Sequence, residues 1–251
     1  MLLKLKNVII KSRKTKNLLS SIIIFLNKLL PLPNKISRIA KHLEHSTAFR
    51  KANLKKSDFG YWYLDPMPSD YDLDNYYTNI YWNNFHGGKN ISIESRSIEQ
   101  YQFINEFIDY PDDKKDKSLL NFGAGEGGIS YLFSLNGWRV VNVEPSEMLE
   151  FEWEKINKIE ETNEEFDLII SSHSLEHVNN LDSYVKLFIE RIKEGGLMFI
   201  EVPNCEENNE IITPHTYHFT EYFFRNFFPL KMLDIKKPDN VIRYIGQKQS
   251  I

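Results

Sequence analysis

His173 and His177 flank Glu176, and His215 and His218 stand three apart in the run PHTYHFT. Imidazole titrates near neutrality, so a histidine at a site rim can take a proton from a reacting hydroxyl or amine. His215, His218 and His177 are the candidates for that work. Two histidines with an acid at close spacing can also hold a metal ion. The His173–Glu176–His177 set has that character, but spacing fixes no third ligand, and no metal is expected. Each of these histidines could equally be a hydrogen-bonded core residue.

The second chemistry-bearing stretch is SLLNFGAGEGGIS, residues 118–130. Leu119, Leu120 and Phe122 form the short apolar run of a buried strand. Gly123, Gly125, Gly127 and Gly128 then let the backbone turn sharply and let a ligand approach the main chain. A helix carrying Ile129, Leu132 and Phe133 follows, and its N-terminal amides favour anionic or electron-rich groups. A nucleotide-like cofactor suits such a turn, although a plain tight turn has the same spelling. Glu144 follows the next apolar run, where a carboxylate can accept both hydroxyls of a ribose. It could also serve as a helix N-cap, with Pro145 as the first helical residue.

These positions need elements to hold them. The pattern predicts a helix over 95–110 with Ile98, Phe103 and Ile104 inward, and strands over 138–143, 166–171 and 197–202. A helix capped by Asp182 should run to Lys193, where Gly195 and Gly196 break it. A helix should cover 220–227, followed by short strands around Met232 and Tyr244. Alternation of strand and helix predicts an α/β, mostly parallel, doubly wound sheet. Gly123, Glu144, Ser172 and Pro203 all follow strands, so they should meet at one sheet edge, where such folds bind ligands.

The chain has 251 residues and a formal net charge of -4, enough for one large α/β domain with an appendage. Its one cysteine, Cys205, excludes an internal disulfide framework and a cysteine zinc cluster. Residues 1–56 are basic and carry a single acid, Glu44, so the remainder is strongly acidic. Within 1–30, Leu18, Leu19, Ile22, Ile23, Leu26, Leu29 and Leu30 share a helical face that Pro31 ends. The run is too short for a membrane span. It reads as a helix packed on the domain or on a second subunit, or as one lying on an anionic membrane surface. The aromatic, acidic stretch 57–94 reads as a lead-in or lid, with Ser69 capping a short helix and Tyr76, Tyr77, Tyr81 and Trp82 free to stack on a ligand or line a core edge. The domain expectation is therefore an arm over 1–56, a lead-in over 57–94 and the main domain over 95–251.

The blocks LLNFGAGEGGIS, VVNVEPSE, FDLIISSHSLEHVNN and RIKEGGLMFIEVPN, in that order, resemble the class I S-adenosylmethionine-dependent methyltransferases over residues 95–245. The lead-in YWYLDPMPSDYDLDNYYTNIYW resembles that of members associated with sugar and surface-polysaccharide biosynthesis. The resemblance implies a Rossmann-like, seven-stranded sheet with an N-terminal helical extension and S-adenosylmethionine as cofactor. It implies cofactor contacts from Asn121, Gly123, Ala124, Gly125, Gly127, Glu144, Pro145, Ser172 and His173, with Glu176 and His177 on the substrate side. Asn121 stands where the family usually has Asp or Glu, and the adenine-contacting acid is not evident; Glu160 is one candidate. The implied substrate is a sugar nucleotide or surface-glycan intermediate. The alternatives are a lipid or quinone precursor, or a non-catalytic partner that kept the fold. Nucleic acid is not expected, because the catalytic half is acidic, and a cytoplasmic setting, with or without membrane-surface contact, is.

Overall fold

The computed structural model describes residues 21, 22, 25, 47–77, 94–109, 117–146, 152–206 and 214–250. Most of the basic arm and the Tyr81–Trp82 stretch lie outside them. The chain divides into two compact units, residues 1–53 with 64–86 and residues 54–63 with 87–251.

In the first unit, α1 (Thr47–Lys51) and α2 (Asp70–Tyr76) are short helices. The Ser69 hydroxyl accepts from the Asp72 amide while the Asp72 carboxylate accepts from the Ser69 amide, a reciprocal cap worth about 1 kcal/mol. Tyr76 packs edge-on against Phe49 at 5.4 Å, and both are buried, so Tyr76 is a core residue rather than a stacking platform.

The second unit is built on seven strands. They are β3 (Ser118–Phe122), β4 (Arg139–Val143), β5 (Glu154–Ile156), β6 (Phe166–Ser172), β7 (Ile192–Pro203), β9 (Lys231–Lys236) and β10 (Val241–Gln247). Their order is β5-β4-β3-β6-β7-β10-β9. The first five are parallel, and β10 lies antiparallel to β7 and to β9. The expected doubly wound, mostly parallel sheet of seven strands is therefore present. A smaller sheet joins β1 (Asn53–Lys56), β2 (Tyr61–Asp65) and β8 (Tyr217–Phe219) in the order β1-β2-β8.

Helices complete the layers. On one face, α3 (Ser95–Asn105) and α4 (Gly128–Leu135) bury Phe103, Ile104, Ile129 and Phe133 with Leu119, Leu168 and Phe199 from the sheet. Each such side chain contributes about 2 kcal/mol of burial. Helix α5 (Leu181–Arg191) serves β6 and β7, with Phe188 fully buried and 5.1 Å from Phe122. Helix α6 (Glu221–Asn226) carries Phe223 and Phe224, and the Phe224 ring packs at 5.4 Å, tilted by 30°, against Tyr244 of β10. This aromatic contact fastens β8 and α6 to the main sheet.

Several elements differ from the sequence expectation. Helix α3 stops at Asn105, and Ile98 is exposed where an inward position was expected. Asn180, not Asp182, caps α5: its side chain accepts from the Ser183 amide. The helix ends at Arg191 and β7 begins at once, running through Gly195 and Gly196, whose backbone exchanges hydrogen bonds with Lys248. Gly195 makes this passage at a left-handed φ of 75°, beside a register shift in the pairing of β6 with β7, so the strand is carried past the glycines as an irregularity. Thr220 caps α6 without its side chain, because its hydroxyl donates to the Gly60 carbonyl instead.

Candidate active site

The carboxyl ends of β3, β4, β6 and β7 lie side by side, so the residues following them share one edge. Gly123, Gly125 and Gly127 all take left-handed φ, at 68°, 54° and 73°, a region that costs other residues about 1 kcal/mol. The amides of Gly123 and Ala124 both donate to the Val143 carbonyl. The Gly125 amide donates to Oε2 of Glu144 at 3.0 Å, and the Ser146 amide to Oε1 at 3.0 Å. Glu144 is 3 % exposed, and these two bonds fix the plane of its carboxylate. Pro145 beside it is exposed. Gly127 caps α4 with no side chain to take the first amides of the helix.

Asn121 is buried, and its Nδ2 donates to Ser130 Oγ at 2.8 Å; that hydroxyl donates to Asn142 Oδ1 at 2.6 Å. The amide side chain therefore ties β3 and β4 to the first turn of α4. Glu160 is exposed in a single turn of 3₁₀-helix at 159–161.

After β6 the chain turns through His173, held at φ 51° by its amide's bond to the Glu201 carbonyl. Ser174 then packs on Gly123, its hydroxyl donating to the Ser172 carbonyl at 3.0 Å. A single turn over Leu175–His177 follows. Glu176 is 1 % exposed, and neither carboxylate oxygen has a hydrogen-bond donor. Its nearest imidazole nitrogens are His173 Nδ1 at 3.5 Å and His177 Nε2 at 3.8 Å, close approaches rather than aligned hydrogen bonds. Thr216 brings in the second histidine segment: its amide and hydroxyl both donate to the Glu176 carbonyl, at 2.8 and 2.9 Å. The His215 ring then lies 4.9 Å from that of His177 and 5.8 Å from that of His218.

Their protonation follows from burial and neighbours. Burial lowers the pKa of His177, brings that of His215 down to about 3 and that of His218 down to about 4. These rings are neutral imidazoles at pH 7. Burial works the same way on His173, but the carboxylates of Glu176 and Glu201 outweigh it and raise its pKa to about 9. His173 is an imidazolium. Burial opposes ionisation of Glu176, and the surrounding histidines overcome it, so the carboxyl stays well below its usual range. Burial pushes the Cys205 thiol up to about 11, which leaves it unreactive.

The methyltransferase-domain family matches residues 95–234 of the chain. The chain belongs to that family. This methyltransferase is 27 % identical over 177 residues to a ubiquinone biosynthesis O-methyltransferase of Pelagibacter ubique, covering 59 % of the chain and 72 % of the relative. A protein of the same description from Agrobacterium fabrum is 28 % identical over 101 residues, covering 34 % of the chain and 40 % of the relative. Among solved structures it is similar to the 1,6-didemethyltoxoflavin-N1-methyltransferase of Burkholderia thailandensis, with a TM-score of 0.56 and 16 % identity. That likeness covers 79 % of this chain and all of the other; it shows the fold. The methyltransferase is of class I and uses S-adenosylmethionine.

The structure brings Gly123, Ala124, Gly125, Gly127, Glu144, Ser172 and His173 to one sheet edge, and gathers His173, Glu176, His177, His215 and His218 into one cluster. His218 lies not at an exposed site rim but in β8, paired with Trp62 of β2 and 1 % exposed. Sequence reasoning missed three groups. Glu201 is fully buried; it accepts from Gln100 Nε2 at 2.7 Å and from Arg243, and lies 3.2 Å from His173. A charged residue inside the apolar run LMFIEVP was the available signal. Gln100 and Arg243 sit on elements too distant in sequence to be linked to it.

Proposed function

We propose that this methyltransferase moves the methyl group of S-adenosylmethionine to a hydroxyl oxygen of a small hydroxylated acceptor. The supporting observation is the packing of Ser174 on Gly123, which sets the Glu176–His177 turn directly against the glycine turn. Cofactor side and proton-accepting side are then neighbours.

The residues suit the cofactor. Glu144, oriented by two amides at the end of β4, is the carboxylate placed to accept from ribose hydroxyls. The uncapped first turn of α4 offers amides to the cofactor's carboxylate. Gly123, Gly125 and Gly127 keep side chains away from it, and Ser172 with His173 borders it. S-adenosylmethionine, when bound, supplies an electrophilic methyl on a positively charged sulfur. An acceptor oxygen bonds that carbon as the carbon–sulfur bond breaks, leaving S-adenosylhomocysteine. The oxygen's proton goes to a neutral imidazole, His215 or His177 first, since both are partly exposed and His218 is not. Ionised Glu176 stabilises the imidazolium that forms. Positioning supplies most of the rate.

The curated relatives favour a quinone-precursor type of acceptor with a ring hydroxyl. A specific observation keeps the sugar-nucleotide or surface-glycan reading as the second. A cavity of about 580 Å³ is lined by Trp62 and Tyr222 with Lys56, Asp58, Glu206 and Thr220, an aromatic and charged lining that suits a sugar phosphate. Trp62 is the cross-strand partner of His218. Mass spectrometry of reactions with labelled S-adenosylmethionine, using hydroxybenzoates, catechols and sugar nucleotides as acceptors, tests both. Label on the first two classes supports the main reading; label on sugar nucleotides alone replaces it. No transfer to any, with S-adenosylhomocysteine still binding, overturns both.

A further inference from the structure

We propose that Glu176, His177 and His215 bind one divalent transition-metal ion of the zinc class. One ligand atom from each, the glutamate oxygen and two imidazole nitrogens, lies within 4.8 Å of the others. Ligands about 2.0–2.1 Å from a tetrahedral metal stand roughly 3.3 Å apart, so small side-chain rotations close the set. The sequence places Glu176 beside His177 but hides His215, which arrives only because Thr216 bonds the Glu176 carbonyl twice.

The decisive residue is Glu176. A carboxylate that is 1 % exposed with no hydrogen-bond donor on either oxygen is costly unless a cation compensates it. His215 Nδ1 is likewise buried without a hydrogen-bond partner. Two imidazoles and one carboxylate select a borderline ion such as Zn²⁺, Co²⁺ or Fe²⁺ over the oxygen-seeking Mg²⁺ and Ca²⁺. Three protein ligands leave a coordination position open, as in catalytic rather than structural zinc sites. The competing account is that imidazolium His173, 3.5 Å away, is by itself the counter-charge of Glu176 among the described residues. Metal binding itself does not depend on the proposed reaction. Its use there, holding and acidifying the acceptor hydroxyl, rests on the O-methylation reading but replaces His177 and His215 as proton acceptors, because an imidazole lone pair that holds the ion cannot also take the proton.

The test uses the untagged full chain, stripped with chelator and dialysed, without S-adenosylmethionine or acceptor. Co²⁺ is titrated in while visible absorption is followed, and Zn²⁺ is titrated by calorimetry. The expected result is one equivalent bound at micromolar or better, weakened at least about 100-fold in His215→Ala and in His177→Asn. Circular dichroism verifies that both variants are folded; His215 is chosen because it is partly exposed and tolerates truncation. Failure of the unaltered protein to bind either ion below millimolar concentration overturns the site, as does equal affinity in folded His215→Ala. Methyl transfer by an ion-free protein that cannot take up metal overturns the site while leaving the histidine reading standing. A tightly bound ion without transfer to any hydroxyl acceptor supports the site and overturns only the O-methylation reading.

Discussion

A Cβ at position 123 would fall 2.0 Å from the hydroxyl oxygen of Ser174 and 2.6 Å from its Cβ. The glycine is therefore required twice, once by its φ of 68° and once by the serine packed on it. Gly123→Ala should cost about 2–4 kcal/mol, from left-handed strain plus displacement of the serine. Ser174→Gly should return part of that loss in the double variant but not the strain. A urea-unfolding double-mutant cycle checks this; additive effects would mean the two positions do not share the space.

Glu144→Gln keeps an oxygen that can accept from one backbone amide but loses the charge that suits ribose hydroxyls. S-adenosylhomocysteine affinity should fall about 10- to 100-fold, the worth of charge-assisted hydrogen bonds. Calorimetry on the folded variant reads it directly, and unchanged affinity would remove Glu144 from the cofactor site.

The base assignment rests on neutral imidazoles beside an ionised glutamate. His215→Ala should lower kcat about 100-fold with little change in the acceptor's KM, and His177→Ala should act similarly. Buried His218 should matter through stability more than through kcat. If kcat is unchanged at all three histidines, none of them takes the proton.

Glu201 lies under His173 and holds Gln100 and Arg243. Glu201→Gln leaves Arg243, 8 % exposed, without its buried counter-charge. The variant should lose about 3 kcal/mol in urea unfolding. A loss below about 0.5 kcal/mol would show that the network contributes little to stability.

Acid stability should depend on Asp167. Burial opposes its ionisation, but hydrogen bonds from Lys193 and from the Ser118 amide and hydroxyl prevail and lower its pKa. A depressed folded pKa means the contribution is complete above the unfolded value of about 3.9 and is lost as pH falls through the folded one. Asp167→Asn should cost about 1 kcal/mol near neutrality. It should also flatten the fall in stability below about pH 4, measured by urea unfolding across pH.

What could be read from the chain tracks how locally each feature is determined. Strands β3, β4 and β6 were legible because buried parallel strands are short apolar runs, and the glycine turn because its spelling is local. Strand β5 is the three residues Glu154–Ile156 at the sheet edge, with too little apolar content to announce itself. The extension of β7 through two glycines and the strand character of His218 both come from partners far away in sequence: Lys248 for one, Trp62 for the other. The histidine cluster was half legible. The local turn places His173, Glu176 and His177 together, whereas His215 joins them through Thr216, across 40 residues of chain.

Strand β9 reaches the sheet only through β10, which inserts antiparallel between β9 and β7. On the ribosome, β9 therefore emerges before the strand it must pair with. Until residues 241–247 follow, the flank of β7 is an open, sticky edge. Glu201, opposite Arg243 in the register, waits through that interval as a carboxylate without its guanidinium. Pairing order at this edge of the sheet therefore departs from chain order.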